Sequence, residues 1–296
     1  MLTLRQLRYL DALAANAHFG RAAAALGVTQ PALSVQIREL EKALGAPLVH
    51  RLPGGVRLTA VGSEIASRAA AVLAAVREIE EIGHARGRIL GSRLRLGVIP
   101  SIAPYLLPGL LVRIGERYPD AAVTVRETVT RTLIEETAQG ELDALVASVP
   151  LGDARFEEVP AFKDAFLLAV PAGSVHATHS SADPSQIAAE ELLLLEDGHC
   201  LRDQALSICR AIDPSRLRSF GATSLTTIFH LVAAGQGITL VPEMAADVGV
   251  ASDPRLKLIR FAAPEPYRMV GLAWRRNSPR ERDFRALAEL LPADPQ

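Results

Sequence analysis

The sequence predicts a multidomain chain: an all-α head with a short hairpin, then one long helix, then an α/β body of two lobes. Three observations predict this. At 296 residues the chain exceeds the usual size of one compact core, so it divides into two or three units. Residues 1 to 60 carry apolar residues at helical spacing, interrupted by tight glycine breaks. After Gly91 the pattern changes to strands alternating with helices, the mark of an α/β domain.

In the head, Thr3 followed by Gln6 can form a capping box, and Leu4, Leu7, Leu10 and Ala14 supply the spacing of a first helix. Phe19 to Leu26 reads as a second, alanine-rich helix that stops at Gly27, where a left-handed residue is favoured. Val28 and Thr29 then turn the chain. Thr29 is placed to cap a third helix and Pro31 sits in its first turn, where a missing N–H is harmless. Leu33, Ile37, Leu40 and Leu44 form its buried stripe up to Gly45. Two helices joined by a short glycine-containing turn make the helix-turn-helix pattern. The outer face of the later helix carries Gln30, Ser34, Val35 and Arg38, which can meet base edges or a thymine methyl. Spacing alone also fits a plain helical hairpin with a solvated face. Leu48 to Thr59, with Arg51, Pro53, Gly54, Gly55 and Arg57, reads as a hairpin wing whose arginines can reach phosphates. Residues 1 to 60 hold seven Lys/Arg against three Asp/Glu in a chain whose net charge is −1, which suits a nucleic-acid-binding head on an acidic body.

A long helix is predicted from Ala60 to about Gly87. Val61, Ile65, Ala69, Val72, Val76, Ile79 and Gly83 line one side and offer a seam for a second copy. Packing of this helix on its own head is the less attractive expectation, because so small a head has little surface to cover it.

In the body, strands are predicted at Leu94–Val98, Ala122–Arg126 and Asp143–Ala147, with helices at Pro104–Tyr118 and Thr132–Gln139. A second set holds strands at Phe166–Val170, Leu192–Leu195 and Ile238–Val241, with helices at Leu201–Ala211 and Leu225–Ala234. The strand Met269–Trp274 and the helix Arg280–Leu290 return to the first set, leaving a cleft between two lobes. The expected division is a head over 1–59, a linker helix over 60–89, a first lobe over 90–163 with 268–296, and a second lobe over 164–267.

Composition narrows the function classes. With 49% apolar and 22% charged residues the chain reads as globular, and it lacks both a secretory leader pattern and an apolar run of membrane-spanning length, so a cytoplasmic protein without membrane contact is expected. Two cysteines, Cys200 and Cys209, do not make a secreted disulfide framework; in a reducing compartment they are inert core thiols or redox groups. His176 and His179 have no third ligand nearby, so no metal is expected. Gly235 and Gly237 precede a strand rather than opening a helix, which removes a dinucleotide site, and neither a phosphate loop nor a Gly-x-Ser-x-Gly elbow is present. No cofactor is expected.

The chain resembles the LysR-type transcriptional regulators over nearly its whole length. The head matches their signature at Ala23, Leu26, Val28-Thr29-Gln30-Pro31-Ala32-Leu33-Ser34, Gln36-Ile37, Leu40-Glu41, Leu44-Gly45, Leu48 and Arg51. Ala233-Ala234-Gly235-Gln236-Gly237-Ile238 with Pro242 is similar to the closing pattern of their two-lobed effector domain, itself like periplasmic solute-binding proteins. Within the family, the segment from Leu195 to Ala205 containing Cys200, followed by Cys209, resembles the redox segment of the peroxide-sensing group, as do Gly97-Val98-Ile99-Pro100-Ser101 and Pro104-Tyr105-Leu106-Leu107-Pro108. Ser101 stands where that group commonly has threonine, which keeps the hydroxyl.

The resemblance implies a regulator without enzymatic turnover that senses hydrogen peroxide through a reversible Cys200–Cys209 disulfide and alters promoter binding at antioxidant genes. It implies Ser101, Thr130, His199, Arg202, Asp203 and Arg268 as the peroxide pocket, and Thr29, Gln30, Pro31, Ser34, Val35, Arg38, Arg51 and Arg57 as the DNA-contacting set. Implied partners are double-stranded promoter DNA, RNA polymerase, a thiol reductant such as glutaredoxin or thioredoxin, and further copies forming a homodimer and homotetramer. Sequence alone also admits helix or turn capping for Ser101 and Thr130, a turn residue for His199 and a surface ion pair for Arg268. Two rival functions remain open: a regulator answering a small molecule between the lobes, and a thiol peroxidase.

Cys200 lies at or just before the start of its predicted helix, where the macrodipole favours a thiolate and His199, Arg202 and Arg268 can add positive or donor character, so it is the expected attacking thiol. Cys209, expected well inside the helix, is the resolving one. Nine residues of helix place the two on opposite faces about 13 Å apart along the axis, whereas a disulfide needs Cα atoms within about 7 Å. Oxidation is therefore expected to break that helix.

Overall fold

The computed structural model describes residues 2–85, 87–187, 191–209, 221–246 and 253–293. They fall into two compact units, one of 1–86 with 138–141 and one of 87–137 with 142–296.

In the first unit, α1 (Leu4–Asn16) opens with the expected capping box: the Gln6 N–H donates to Thr3 Oγ1 and the Thr3 N–H to Gln6 Oε1. Next come α2 (Phe19–Ala25) and α3 (Gln30–Leu44), the latter capped by Thr29 and closed by Gly45 at φ +69°. Leu10, Leu13, Leu33, Ile37, Leu40 and Leu48 form the buried centre. The wing is an antiparallel hairpin of β1 (Val49–Leu52) and β2 (Gly55–Leu58), turned by Pro53 and Gly54. The long helix α4 (Ala60–Ala85) ends close to its expected limit; Arg86 lies outside the described residues.

One expectation for α4 is corrected. It does pack on its own head: Ala66, Ala69, Ala70, Leu73 and Ala74 are buried, and α4 contacts α1. Small alanines let the two helices approach closely. At Gly62 a separate close approach, to the backbone just before β1, excludes any side chain, since a Cβ would sit 2.0 Å from the Leu48 carbonyl oxygen. Ala69 therefore leaves the predicted seam. Val61, Val72 and Ile79 remain exposed on another side of the helix, flanked by half-buried Ile65 and Val76.

The second unit is built on one sheet, ordered β4-β3-β5-β9-β6-β7 with β8 also paired to β6. Its first lobe holds β3 (Leu94–Val98), α5 (Ala103–Arg117), β4 (Val123–Glu127), α6 (Thr130–Ala138) and β5 (Ala144–Val149). β3 lies parallel to β4 and β5. A single strand, β6 (Phe156–Pro171), then carries the chain into the second lobe, which holds α7 (Cys200–Ile208), α8 (Leu225–Ala233), β7 (Thr239–Pro242), α9 (Glu243–Ala246) and β8 (Leu256–Arg260). β9 (Tyr267–Arg275) returns antiparallel to both β5 and β6, and α10 (Glu281–Ala288) follows.

β6 is much longer than the predicted Phe166–Val170. Its first part pairs with β9 and its second part, from Phe166, with β7 and β8. The register shifts between Pro160 and Phe162, and this irregularity together with Lys163 and Asp164 hides the strand from a simple alternation test. The predicted strand Leu192–Leu195 is only a bridge, Leu192 to Ile238. The helix predicted over Leu201–Ala211 starts at Cys200 and ends at Ile208; Ala211 lies outside the described residues.

Candidate functional site

The 100° turn per residue sorts the side chains of α7. Leu201 and Ala205 are buried on the core side, while Cys200, Asp203 and Gln204 share another face. Cys200 is the first helical residue, half-buried, with His199 at the N-cap making no side-chain capping bond. Cys209 is not well inside the helix as expected. It is the C-cap residue, at φ −90° and ψ 58°, with its N–H donating to the Ala205 carbonyl at 3.0 Å, because the chain departs from helical geometry there. Its side chain is nonetheless on the core side, 1% exposed, and burial pushes its thiol up to about 11. Both cysteines are free thiols.

Cys200, Asp203 and Gln204 line a cavity of about 580 Å³. Thr130 enters at the start of α6, Ser148 and Val149 close β5, and Pro150 and Leu151 follow it. Tyr267, Arg268 and Met269, opening β9, complete the lining. Thr130 Oγ1, Ser148 Oγ and Gln204 Oε1 are buried yet have no hydrogen-bond partner among the described residues. Each such group costs about 1–3 kcal/mol unless a polar guest satisfies it. Thr130 is thus not spent on capping.

Arg268 is held from several sides. Its Nε donates to Asp164 Oδ2 at 2.9 Å, Nη1 to Ser101 Oγ at 2.8 Å and Nη2 to the Ser101 carbonyl at 3.0 Å. The Met244 N–H occupies the other Asp164 oxygen at 3.1 Å. The ion pair is buried, which sets aside the surface-pair alternative, and Ser101 serves the arginine rather than a helix cap: Ile102 is the N-cap of α5. The cavity therefore gathers Cys200, Thr130, Asp203 and Arg268 directly and Ser101 through Arg268.

His199 and Arg202 are not among its lining residues. His199 is buried, and burial holds its imidazole below the usual range against an opposing pull from Glu196, so at neutral pH it offers a donor or acceptor rather than a cation. Arg202 binds Asp197 at 2.8 Å and the Leu195 carbonyl at 3.2 Å. Ser148 and Gln204 were missed. Gln204 was legible from its i+4 relation to Cys200; nothing local marks Ser148, which arrives through strand order.

In the head, Thr29, Gln30, Pro31, Val35, Arg38, Arg51 and Arg57 are exposed and Ser34 is half-buried. Arg51 reaches back from the wing: Nη2 donates to Ser34 Oγ at 2.9 Å, and the guanidinium lies 4.7 Å over the Phe19 ring. It thereby ties the wing to α2 and α3. Among the described residues Arg38 and Arg57 make no comparable contact, and both are exposed, on helix and wing respectively.

Among the described residues no group of three or more His, Cys, Asp or Glu is placed to hold a metal ion, and no helix is long and apolar enough to cross a membrane. His176 pairs with Glu191 at 3.0 Å.

Comparison with known proteins gives the same division of labour. The family described as "Bacterial regulatory helix-turn-helix protein, lysR family" matches residues 4–63, and that described as "LysR substrate binding domain" matches residues 88–295. The chain is 39% identical over 290 residues to a probable hydrogen peroxide-inducible genes activator of Streptomyces viridosporus, covering 98% of this chain and 93% of that protein. It is 37% identical over 297 residues to the DNA-binding transcriptional dual regulator OxyR of Escherichia coli (strain K12), covering 99% and 95%. Among solved structures it is similar to a full-length OxyR mutant from Pseudomonas aeruginosa, with a TM-score of 0.76, 35% identity and 98% of each chain covered. It is also similar to a hydrogen-peroxide-bound OxyR mutant from Corynebacterium glutamicum, with a TM-score of 0.66, 32% identity and 97% and 91% covered. A reading head matched over 4–63 and an effector body matched over 88–295 place this chain in the LysR family of bacterial transcription regulators.

Proposed function

We propose that the protein is a promoter-binding regulator that senses hydrogen peroxide through Cys200 and Cys209. One observation carries the reading: Cys200 opens a helix beside a cavity with three polar groups that have no partner among the described residues, while Cys209 is sealed in the core at the other end of that helix. The relatives named above as peroxide-inducible activators and OxyR support it.

In the first step the Cys200 thiolate attacks one peroxide oxygen. An S–O bond forms, the O–O bond breaks, sulfur is oxidised, and the electron pair leaves with hydroxide, which takes up a proton to become water. Arg268, Thr130, Ser148 and Gln204 supply donors and acceptors to orient the peroxide, with Ser101 and Asp164 fixing Arg268. His199 and Arg202 shape the N-terminal end of α7, and Asp203, in its first turn, adds a carboxylate to the cavity. In the second step the Cys209 sulfur displaces the sulfenic hydroxyl; the S–S bond forms and water departs with the Cys209 proton. Nine residues of helix separate the Cα atoms by about 13 Å along the axis, about twice what a disulfide spans. Oxidation thus requires α7 to unwind and Cys209 to leave the core, and that rearrangement is the signal.

The signal passes to DNA through a head of residues 1–59 that reads with Gln30, Ser34, Val35 and Arg38, set in place by Thr29 and Pro31, while Arg51 and Arg57 approach phosphates. Residues 60–89 pair two copies through Val61, Val72 and Ile79, and the lobes, 90–163 with 268–296 and 164–267, join dimers into a tetramer. RNA polymerase and a cytoplasmic thiol reductant, glutaredoxin or thioredoxin, complete the cycle. Neither chemical step draws on a cofactor, and the protein acts stoichiometrically rather than as an enzyme.

The test is thiol mass spectrometry after about one equivalent of hydrogen peroxide, with footprinting of both redox forms. A Cys200–Cys209 disulfide with an altered footprint is expected. Thiols that stay reduced with an unchanged footprint overturn the reading; a response that survives Cys200→Ser points to a small-molecule effector, and multiple turnover with a reductant points to a peroxidase.

A further inference from the structure

Helix α5 turns one apolar stripe, Ala103, Leu106, Leu110 and Ile114, into the interior of the first lobe. Tyr105 lies off that stripe. Its half-buried ring packs instead on the apolar core of the second lobe, whose buried members all fall between Phe166 and Phe261. The other half-buried apolar side chains on that core, Leu206, Ile208, Leu231, Leu256 and Leu258, come from the second lobe itself. Among the described residues, Tyr105 is the one apolar side chain of the first lobe seated there.

The residue type suits the place, since a tyrosine ring buries a large apolar area while its hydroxyl can stay in polar surroundings. Burial raises the Tyr105 hydroxyl above its usual range and the charge of Arg268 opposes that rise, so the phenol lies within electrostatic reach of the guanidinium that Ser101 grips. The ring is also firmly joined to its helix. The Ile102 carbonyl accepts the Tyr105 N–H at 3.1 Å and the Leu106 N–H at 3.0 Å, so ring and first turn form one body.

Helix α7 supplies part of the same core. Leu201, Ala205 and Cys209 are buried in it, and Leu206 and Ile208 are half-buried against it. On the disulfide reading above, α7 unwinds and Cys209 leaves this core. Close-packed interiors do not keep the resulting void unchanged; the side chains around it repack or lose contacts.

Resting on that reading, we infer that Tyr105 carries the redox change from the second-lobe core to the first lobe: in the reduced protein its ring pins the start of α5 to that core, and the departure of α7 releases the pin. Ser101 and Arg268 join the same two lobes through polar groups, whereas Tyr105 joins them through the apolar core that oxidation disturbs. Tyr105 takes no part in the chemistry at sulfur.

The experiment follows amide hydrogen exchange by mass spectrometry in the full-length protein, reduced and after disulfide formation with hydrogen peroxide. In the parent, oxidation should raise exchange about fivefold or more in a peptide spanning residues 102–110. In Tyr105→Ala that peptide should already exchange faster in the reduced form and change by less than about twofold on oxidation. The disulfide should still form in this variant, and exchange over α7 should still rise. Tyr105→Phe keeps the ring and should respond as the parent does. Leu258→Ala, a truncation on the same core from within the second lobe, should also keep the parent's response, which separates a pin from general loosening. An oxidised parent with unchanged exchange over 102–110, a full response in Tyr105→Ala, or an equal loss in Leu258→Ala overturns the inference while leaving the disulfide reading intact. Failure of the Cys200–Cys209 disulfide to form in the parent overturns both.

Discussion

Arg268 and Asp164 sit opposite each other in the register of β9 and β6 and form a buried ion pair at 2.9 Å, with Ser101 taking two further guanidinium hydrogens. The pair lies where β6 passes from pairing with β9 to pairing with β7 and β8, and Arg268 also lines the cavity of Cys200. A single clasp thus joins the first lobe, through Ser101, to the second, through Met244.

Removing one partner strands the other charge. Asp164→Ala should destabilise the effector unit by about 3–5 kcal/mol, since a buried guanidinium loses its counter-charge. Urea unfolding of the reduced protein measures this. The double variant Asp164→Leu with Arg268→Met should recover most of the loss. A loss below about 1 kcal/mol in the single variant, as for an exposed pair, contradicts the clasp.

The helix between the cysteines should set the speed of the second chemical step. Ser207 is exposed on α7 and is not among the cavity lining residues, so it is a clean place to alter helix stability. Ser207→Ala should slow disulfide closure about twofold and Ser207→Gly should hasten it by a similar factor, from propensity differences of about 0.5 kcal/mol each. Sulfenic acid formation at Cys200 should stay constant in both. Quench-flow alkylation with mass spectrometry separates the steps; equal closure rates would show that α7 need not open.

Burial of two titratable groups gives stability a signed pH dependence. The Cys209 thiol is raised from near 9.0 to about 11, so above pH 9 the unfolded chain releases a proton that the folded one keeps, and stability falls until about pH 11. Cys209→Ala should flatten that limb. His199 is shifted the other way, below 6.5. As pH falls past that value the unfolded imidazole takes up a proton that the folded one refuses, so stability declines on the acid side as well. His199→Asn should remove the acid-side decline. Urea midpoints across the pH range, compared between each variant and the parent, decide both.

In the head, the two wing arginines should behave differently on DNA. Arg57→Ala should weaken binding uniformly across sequences and reduce the salt slope by about one, the behaviour of a lone phosphate contact. Arg51 is bonded to Ser34 and stacked on Phe19, so Arg51→Ala should in addition lower discrimination between specific and random DNA, because it frees Ser34 on the reading helix. Fluorescence anisotropy at several salt concentrations with both DNAs tests this. Identical profiles for the two variants contradict the distinct role of Arg51.

Much was written locally in the chain. Thr3 with Gln6, Thr29 with Pro31, and Gly45 set the ends of α1 and α3 as the sequence predicts, because caps depend on residues within one turn. The start of α7 at Cys200 lies one residue before the expected Leu201, and the face Cys200 shares with Asp203 and Gln204 follows from helical period. Other features needed the tertiary fold. The inner face of α4 is set by how closely its alanines meet α1, and the full length of β6 by partners on β7, β8 and β9 that lie far along the chain. The end of α7 before Cys209 was not legible either.

The sequence by itself determined the class of protein, the order of its parts and the two thiols proposed to react, since signature, periodicity and spacing are all local in the chain. Only the tertiary structure decided what surrounds them. Ser101 became the anchor of Arg268, Ser148 joined the cavity, Arg202 bonded to Asp197 and Leu195, and burial set the protonation of His199 and Cys209. The physical reason is that cavity contents, ion-pair partners and desolvation depend on groups brought together across more than a hundred residues, as Arg268 and Asp164 are by strand register.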